Sequence, residues 1–360
     1  MRKESEYLMH CKMISYLRTG LITLIVLSAV PLSLAVAETQ EEVKYETGFY
    51  YTVQEGDTLW DLSRKFSDTP WQWPEMWKEN DQIANPHRIY PGERIRLYRR
   101  RGAANYGDAG AGDGSSGADK DLKDQPELTN LLHYEYAAID RVGFIRKEAA
   151  LAHGNIFKVE GRKEMISTGD VVYIRPRTNF SLSPGDKFTL YRTLQPIRDR
   201  KTHKLIGIQH YFTGAVEIMI KRPEFLLGRV IGAYRPIKIG DLLMPYKRRL
   251  QQVAMNPSPP GLEGSIIESE DHDGIFGENS VAFIDKGKSD GVEPGQLYWI
   301  FVQENYRINP DNKFEVTLTP EILGELLVLH TENTTSTVMI TDSRKPIRAG
   351  AKIVTPFKLE

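Results

Sequence analysis

The stretch that decides the N-terminal fold is "YTVQEGDTLWDLSRKF", residues 51–66. It opens with an aromatic-Thr-Val run, whose residue types favour a β-strand. Thr58 then stands where a helix N-cap is expected, and Asp61 follows three residues later in the capping-box position. Three apolar residues share one face of the helix that would follow: Leu59, Leu62 and Phe66. The stretch therefore predicts a strand, a turn and a short amphipathic helix.

The sequence after this helix completes a small unit that ends at residue 98. Pro74 suits the first turn of a second helix, and Asn80 suits its end. The run "YPGERIRLY", residues 90–98, has a Pro-Gly turn and then apolar residues that alternate with arginines. This alternation predicts an amphipathic strand, which would pair with the strand at residues 51–53. We therefore expect a small α+β unit of order βααβ over residues 51–98.

These motifs resemble the LysM domain, a βααβ unit that binds N-acetylglucosamine-containing glycans in a shallow groove. The resemblance rests on elements that occur in order, including Gly-Asp-Thr-Leu at residues 56–59, Asn-Pro at 85–86 and Ile-x-Pro-Gly at 89–92. It implies that two loops form the groove and that nine residues bind the glycan: Gly56, Asp57, Thr58, Leu59, Ile83, Asn85, Pro86, Ile89 and Tyr90.

Simpler roles stay open for several of these nine residues. Turn geometry alone would explain Gly56, because glycine adopts backbone conformations that other residues avoid. Core packing would explain Leu59 and Ile89, and capping of the first helix would explain Asp57. The residues contain no catalytic, cofactor or metal constellation, so none of the three is expected.

An aromatic run, "WQWPEMW" at residues 71–77, departs from the common LysM pattern. It lies between the two predicted helices, in a segment longer than the small polar loop usual there. We expect Trp77 to lie in the core and Trp60 to pack half-buried on the first helix. Trp71 and Trp73 are expected to cover the core of the small domain, with contact to a ligand or partner as the alternative.

The N-terminus has the layout of a secretory signal peptide over residues 1–37. Basic Lys12 and Arg18 precede an apolar run, which ends in the small-x-small sequence Ala-Val-Ala at residues 35–37. We therefore expect a cleaved signal and a periplasmic, wall-associated protein, with an uncleaved membrane anchor as the alternative. The chain's one cysteine, Cys11, precedes the apolar run, so the secreted chain would hold no disulfide.

Composition divides the remainder into linkers and ordered regions. A spacer is expected at residues 38–50 and a flexible linker at 99–126, where Gly, Ala, Ser and Asp dominate. Residues 128–139, "LTNLLHYEYAAI", have helical spacing, so a helical connecting segment is predicted over 127–153. The net charge of −1 gives no sign of the basic excess expected of a nucleic-acid binder.

The C-terminal region contains a diverged internal repeat with an offset of 110 residues. The matching positions are mostly turn residues, and the runs between them are rich in Val, Ile, Tyr and Phe. Two mostly-β modules are therefore predicted at residues 154–250 and 264–360, with a spacer at 251–263. The clearest matches pair Pro184-Gly185 with Pro294-Gly295, Gly214 with Gly324, and Gly240 with Gly350.

The whole arrangement is similar to the type IV pilus secretin-associated protein (TsaP) family. The resemblance adds strings such as "NPHRIYPG" at residues 85–92 and "SPGDKFTLYR" at 183–192. It implies peptidoglycan binding through LysM, FlgT-like β repeats at the C-terminus, and a partner in the envelope such as a secretin ring.

An enzyme is the alternative, because many LysM proteins are wall hydrolases. The sequence holds no H-E-x-x-H motif, and the histidines of the β region are scattered. Acidic "ESEDHDG", residues 268–274, lacks the spacing of a calcium loop and is expected to be a solvated hairpin tip. The sequence thus favours a non-enzymatic adaptor, with a hydrolase of unrecognised site or a wall-bound structural protein as alternatives.

Overall fold

The computed structural model describes residues 46–67, 69–97, 132–177, 180–200, 202–308 and 315–356. The chain divides into two units, residues 1–44 and residues 45–360. The predicted signal peptide and the predicted linker at 99–126 lie outside the described residues. Among those that are described, no helix has both the length and the apolar character needed to cross a membrane.

The described elements are two short α-helices and twenty β-strands. The first part comprises β1 Gly48–Thr52, α1 Leu59–Phe66, α2 Trp73–Lys78 and β2 Arg94–Arg96. The second comprises β3 Leu132–Glu135, β4 Phe144–Arg146, β5 Gly154–Val159, β6 Val171–Pro176, β7 Lys187–Thr193, β8 Ile197–Arg198, β9 Leu205–Lys221, β10 Leu226–Ala233, β11 Leu242–Pro245 and β12 Gln252–Ala254. The third comprises β13 Glu263–Ser269, β14 Val281–Ile284, β15 Leu297–Val302, β16 Asn305–Arg307, β17 Glu315–Thr317, β18 Glu321–Thr331, β19 Ser336–Ser343 and β20 Lys352–Val354.

The predicted βααβ unit is present at residues 48–97. β1 and β2 are antiparallel, with Tyr51 opposite Ile95. Thr58 is the N-cap of α1, since its Oγ1 accepts a hydrogen bond of 3.1 Å from the Asp61 amide. A proline in the first turn starts α2. The strand, both helices and the α+β class of this unit are therefore confirmed.

Asn80 joins the end of α2 to β2 from inside the core. Its side chain is fully buried, and Nδ2 donates to the carbonyls of Met76 at 2.6 Å and Arg96 at 2.9 Å. Its Oδ1 accepts from the Arg96 amide at 2.6 Å. A buried amide is stable only when it is paired in this way, so Asn80 fixes how α2 lies against the sheet.

Two further strands extend the sheet of this unit beyond β1. β3 pairs with β1, and β12 pairs with β3, which gives the order β12-β3-β1-β2. The helix predicted over residues 127–153 is wrong where the structure describes it, because Leu132–Glu135 is a strand with all four residues buried. Pairing with β1 gives the buried backbone of β3 its hydrogen-bond partners. This tertiary context overrides the helical spacing of the local sequence.

The C-terminal region is mostly β, as predicted, and contains two rings of six strands. In the first, the pairings run β5-β6-β10-β9-β7-β11 and return to β5, while β4 and β8 attach to β9. The second is a closed barrel of order β13-β14-β19-β18-β15-β20. Each ring encloses an apolar core of its own. We call them barrel 1 and barrel 2.

The 110-residue repeat extends to the irregularities of the two barrels. The register shift between Leu190 and Tyr191 in β7 recurs between Ile300 and Phe301 in β15. Isolated bridges also recur at the same offset, since Ile166 pairs with Ile237 and Phe276 pairs with Ile347. Bulges bend strands and are structural features in their own right, so the two barrels are copies of one module.

The barrels differ in what covers their outer walls. Five outward-facing residues of barrel 2 share one apolar cluster with the extended LysM-like sheet: Val281, Leu297, Leu327, Leu329 and Met339. That sheet contributes Phe49, Tyr134 and Val253, among others. The βααβ unit is therefore packed on barrel 2 by an apolar interface and is joined to β3 by strand pairing.

A buried ion pair joins the two barrels. Arg235 Nη2 of barrel 1 lies 2.8 Å from Glu270 Oε2 of barrel 2, with the side chains 10% and 1% exposed. Glu270 Oε1 also accepts a hydrogen bond of 2.6 Å from the Gly143 amide. The expectation of a solvated tip at residues 268–274 is thus wrong for Glu270. Burial raises the pKa of the Glu270 carboxyl, and the Arg235 charge opposes that rise.

A second set of polar contacts joins β4 to barrel 2. Arg146 forms a two-pronged ion pair with Glu332, at 2.8 Å and 3.0 Å. Thr335 Oγ1 donates to the carbonyl of Ile145 at 2.7 Å from a buried position. Two-pronged Arg–carboxylate pairs fix orientation as well as adding energy. The barrels are therefore held in one arrangement by directional contacts.

Candidate glycan-binding site

The two loops implied by the LysM resemblance lie at one end of the βααβ unit. Val53 follows β1 and donates from its amide to the Glu93 carbonyl at 2.8 Å. Its own carbonyl accepts from the Gly92 amide at 2.9 Å. These bonds hold the segment at residues 54–59, which turns into α1, beside the loop at residues 83–93. We call the two loops the first wall and the second wall.

The first wall is a tight turn that leads into α1. Gly56 has φ +91° and nothing within 4 Å of the position of a Cβ, so the backbone conformation rather than space calls for glycine. Asp57 shapes the same turn, because its Oδ2 accepts from the Gln54 amide at 2.7 Å. Burial, and next the Asp57 carboxylate, raise the pKa of the Tyr51 hydroxyl. The Asp57 side chain therefore stabilises the turn, while the backbone of Gly56 is exposed.

The remaining residues of the first wall divide between surface and core. Thr58 is exposed, and its hydroxyl is engaged with Asp61 at the helix cap, where it also donates to Oδ2 at 2.7 Å. Leu59 is 1% exposed and belongs to the apolar core. The first amides of a helix have no intrahelical acceptor, so this wall presents backbone donors rather than apolar side chains.

The second wall combines a buried base with an exposed rim. Ile83 is 5% exposed, and its carbonyl accepts from Trp77 Nε1 at 2.7 Å. Asn85 is exposed and shapes the next turn, since its Oδ1 accepts from the His87 amide at 3.0 Å. Pro86 is half-buried at this rim. This wall therefore offers its rim, rather than Ile83, to a ligand.

The far end of the second wall carries its largest exposed ring. Ile89 is half-buried against the apolar core. Tyr90 is 55% exposed, while its amide donates to Glu93 Oε2 at 2.9 Å. This hydrogen bond fixes the backbone of Tyr90 while its ring stays open to solvent, so the ring is suited to contact a ligand. Of the nine predicted residues, Leu59 and Ile83 have their side chains in the core, and the other seven lie on or near the surface of the walls.

The tryptophans divide differently from the sequence-based expectation. Trp77 is half-buried and anchored to the second wall, and Trp73 packs on the core with its ring 6.0 Å from His87. Trp71 is 73% exposed, so the expectation that it covers the core is wrong. Its ring meets Trp60, which is 38% exposed, edge to face at 4.8 Å. A short 3-10 helix, Pro70–Gln72, carries Trp71 outward.

Comparisons with known proteins identify this unit. Residues 51–97 match the LysM domain family. The uncharacterized protein YqbP of Bacillus subtilis (strain 168) is 39% identical over 57 residues, which is 13% of this chain and 26% of YqbP. The chain thus spans about a quarter of the length of the curated relative it matches. LysM domains bind N-acetylglucosamine strands of peptidoglycan, so residues 51–97 form a carbohydrate-binding domain rather than a catalytic one.

Acidic and histidine side chains do not gather into a metal centre in the part of the chain that the structure describes. Within those residues, no group of three or more His, Cys, Asp or Glu side chains is placed to hold a metal ion. Buried Glu270, for example, is paired with Arg235 across the two barrels.

Proposed function

We propose that this chain is a periplasmic adaptor, which binds peptidoglycan through its LysM domain and attaches a protein assembly of the envelope to the wall. The observation that carries the proposal is the LysM domain at residues 51–97, whose two walls lie side by side at one end. The rest of the chain is two β modules, which offer a large surface for a protein partner. The adaptor is not an enzyme in this account.

The proposed glycan contacts follow from what each wall leaves exposed. The amides of Gly56, Thr58 and Leu59 and the carbonyls of the second wall would hold the N-acetyl groups of the sugar. Thr58, Asn85, Pro86 and Tyr90 would contact the sugar through their side chains. Leu59 would act through its amide. The amide of Ile83 donates to Asn80 and its carbonyl accepts from Trp77 Nε1, so Ile83 would support the base of the groove from the core.

The partner is proposed to be an envelope-spanning machine, such as the secretin ring of a type IV pilus. Support comes from the resemblance to the secretin-associated family and from the signal-peptide layout of residues 1–37. A single LysM domain is expected to bind weakly. Several copies around an oligomeric partner would raise the effective affinity without new contacts, which suits an anchor.

The packing of the LysM domain decides how the glycan contact can be tested. Deleting residues 38–101 would strip β1 from β3 and would expose the apolar wall of barrel 2. Such a deletion would perturb the rest of the chain as well as the groove. Point variants at the rim of the groove are therefore the cleaner test.

We expect the double variant Asn85→Ala, Tyr90→Ala to bind purified sacculi at least roughly tenfold more weakly than the wild type. Both side chains are exposed, so the fold should survive. Co-sedimentation with sacculi measures the effect, and Tyr306→Ala is the matched control because Tyr306 is 59% exposed on β16. Equal sedimentation of all three proteins would sink the proposal. Release of muropeptides from the sacculi would favour the hydrolase alternative.

For the partner, we expect crosslinking in intact envelopes, followed by mass spectrometry, to link the barrels to an outer-membrane secretin. The crosslinks should start from exposed lysines of the β modules, such as Lys187 and Lys288. Crosslinks to a different envelope assembly, with none to a secretin, would reject the secretin and leave the glycan contact in place.

A further inference from the structure

The exposed pair formed by Trp60 and Trp71 is not explained by the folding of the LysM domain. Trp73 and Trp77 pack against the apolar core, but Trp71 leaves 73% of its surface in water. Burial of a large apolar ring is favourable, and two exposed indole rings in contact form an apolar patch of the kind that marks an interaction site. We propose that Trp60 and Trp71 form a second glycan contact, which stacks on a sugar ring beyond those held in the groove. This inference rests on the proposed function.

The loop that carries Trp71 is a built structure. The hydroxyl of the fully buried Ser63 donates to the Thr69 carbonyl at 3.1 Å, which ties the loop to α1. Thr69 Oγ1 accepts from the Trp71 amide at 3.3 Å and caps the short helix. Pro70 fixes the first turn of that helix. Trp71 is therefore held outward before any ligand arrives, which lowers the entropy cost of binding.

The pair is close along the chain to residues of both walls. Trp60 follows Leu59, the last residue of the first wall, in the first turn of α1. Trp73 comes two residues after Trp71, and its ring lies against His87 of the second wall. The aromatic segment therefore connects the exposed pair to the residues proposed to hold the glycan. A glycan chain longer than the groove would continue over this surface.

The surroundings of the pair suit a sugar better than a protein. The C–H faces of a pyranose ring stack on aromatic rings, and its hydroxyls need polar partners at the edges. Such partners are present, since Asp61 and Arg64 form an exposed ion pair of 3.1 Å on the same helix. A stable protein interface needs about 800 Å² from each partner, which is far more than two indole rings provide.

The test uses the full chain and N-acetylglucosamine oligomers of increasing length, with calorimetry as the measurement. We expect Trp71→Ala to weaken binding of the longest oligomers by roughly tenfold and to leave the shortest bound oligomer unchanged. Trp71→Phe should keep most of the affinity, because it retains an aromatic face. Tyr306→Ala, an exposed aromatic on β16, is the control and should behave as the wild type at every length.

The outcomes separate this proposal from the proposed function. Unchanged affinity of Trp71→Ala at every length, with wild-type binding intact, would overturn the second contact alone. An equal loss at every length would also overturn it, because it would place Trp71 in the groove itself. Failure of the wild type to bind any oligomer would overturn both proposals. A length-dependent loss with rescue by phenylalanine supports the second contact.

Discussion

Replacing Arg235 with methionine is expected to lower the free energy of unfolding by about 3–5 kcal/mol at pH 8. The change removes the partner of Glu270, whose side chain is 1% exposed at the junction of the two barrels. A carboxylate left there without its cation cannot recover the hydration that it loses on folding. Arg235 Nη1 also donates to the carbonyls of Arg141 at 2.7 Å and Phe212 at 3.0 Å, and these bonds are lost too.

The loss of unfolding free energy caused by Arg235→Met, called the deficit below, should depend on pH in a defined direction. Burial already raises the pKa of Glu270 in the folded protein, and loss of the arginine charge raises it further. A carboxyl whose pKa is higher folded than unfolded stabilises the fold while it is protonated. That stability is complete below the unfolded pKa and is lost as pH rises towards the folded value. The deficit should therefore be smaller near pH 4 than at pH 8.

Two further variants test this explanation in denaturant titrations. Adding Glu270→Gln to Arg235→Met should recover part of the deficit and remove its pH dependence, because no charge is then buried. Lys345→Met is the matched control, since Lys345 stands 110 residues after Arg235 and its pair with Glu321 is exposed. It should cost about 0–1 kcal/mol. Equal losses for Arg235→Met and Lys345→Met would contradict a buried pair at the junction.

Gly295→Ala should destabilise the protein more than its repeat counterpart Gly185→Ala. Both glycines have nearly the same backbone, with φ of 89° and 91°, so the conformational strain of a side chain is common to both. A Cβ at residue 185 meets nothing within 4 Å, whereas at residue 295 it would lie 1.8 Å from the Ala254 carbonyl oxygen. The Ala254 carbonyl belongs to β12, the outer strand of the LysM sheet.

The expected losses of unfolding free energy distinguish backbone strain from the steric clash with β12. Gly185→Ala should cost about 1–3 kcal/mol through strain alone. Gly295→Ala should cost about 1–3 kcal/mol beyond that, because β12 must move away. Hydrogen exchange should show that the extra loss falls on β12, β3 and β1. Equal costs for the two substitutions, with unchanged protection of those strands, would show that the LysM sheet does not rest on barrel 2 in solution.

The LysM domain could be predicted from the sequence because its motifs are local. Thr58 caps a helix by bonding to Asp61, three residues away, and Pro74 lies in the first turn of the next helix. Such signals depend on neighbours along the chain. The repeat was predicted for a similar reason, since its turn residues fix backbone geometry. Closure of each module into a six-stranded ring depends on distant pairings, and no local pattern specifies it.

The docking of the LysM domain on barrel 2 was missed, although the repeat held a signal for it. Residues on the outer wall of barrel 2 are apolar, whereas their counterparts in barrel 1 are partly charged. The counterparts of Val281, Leu297, Leu327, Leu329 and Met339 are Val171, Lys187, Glu217, Met219 and Arg229. Two copies of one module should differ in polarity where only one copy is covered by another domain. This comparison would therefore have indicated that the outer wall of barrel 2 is buried.

The LysM match covers both predicted walls, while the direction of each side chain in them depends on packing. The resemblance placed Leu59 and Ile83 in the groove, but core packing turns both side chains inward. Trp71 and Trp73 were expected to cover the core. Trp73 does pack on it, but the 3-10 helix that follows Thr69 turns Trp71 outward. Successive side chains of a 3-10 helix point about 120° apart, so Trp71 and Trp73 face different ways, and sequence spacing alone does not resolve such a short element.

The central claim is that the groove between the two walls binds N-acetylglucosamine-containing glycan. Its most direct test is amide NMR of the full chain during titration with an N-acetylglucosamine oligomer. We expect saturable shifts that concentrate on the amides of residues 56–59, 83–85 and 87–90, with the barrels unaffected. Shifts confined to the barrels, or no saturable shift at either wall, would contradict the claim.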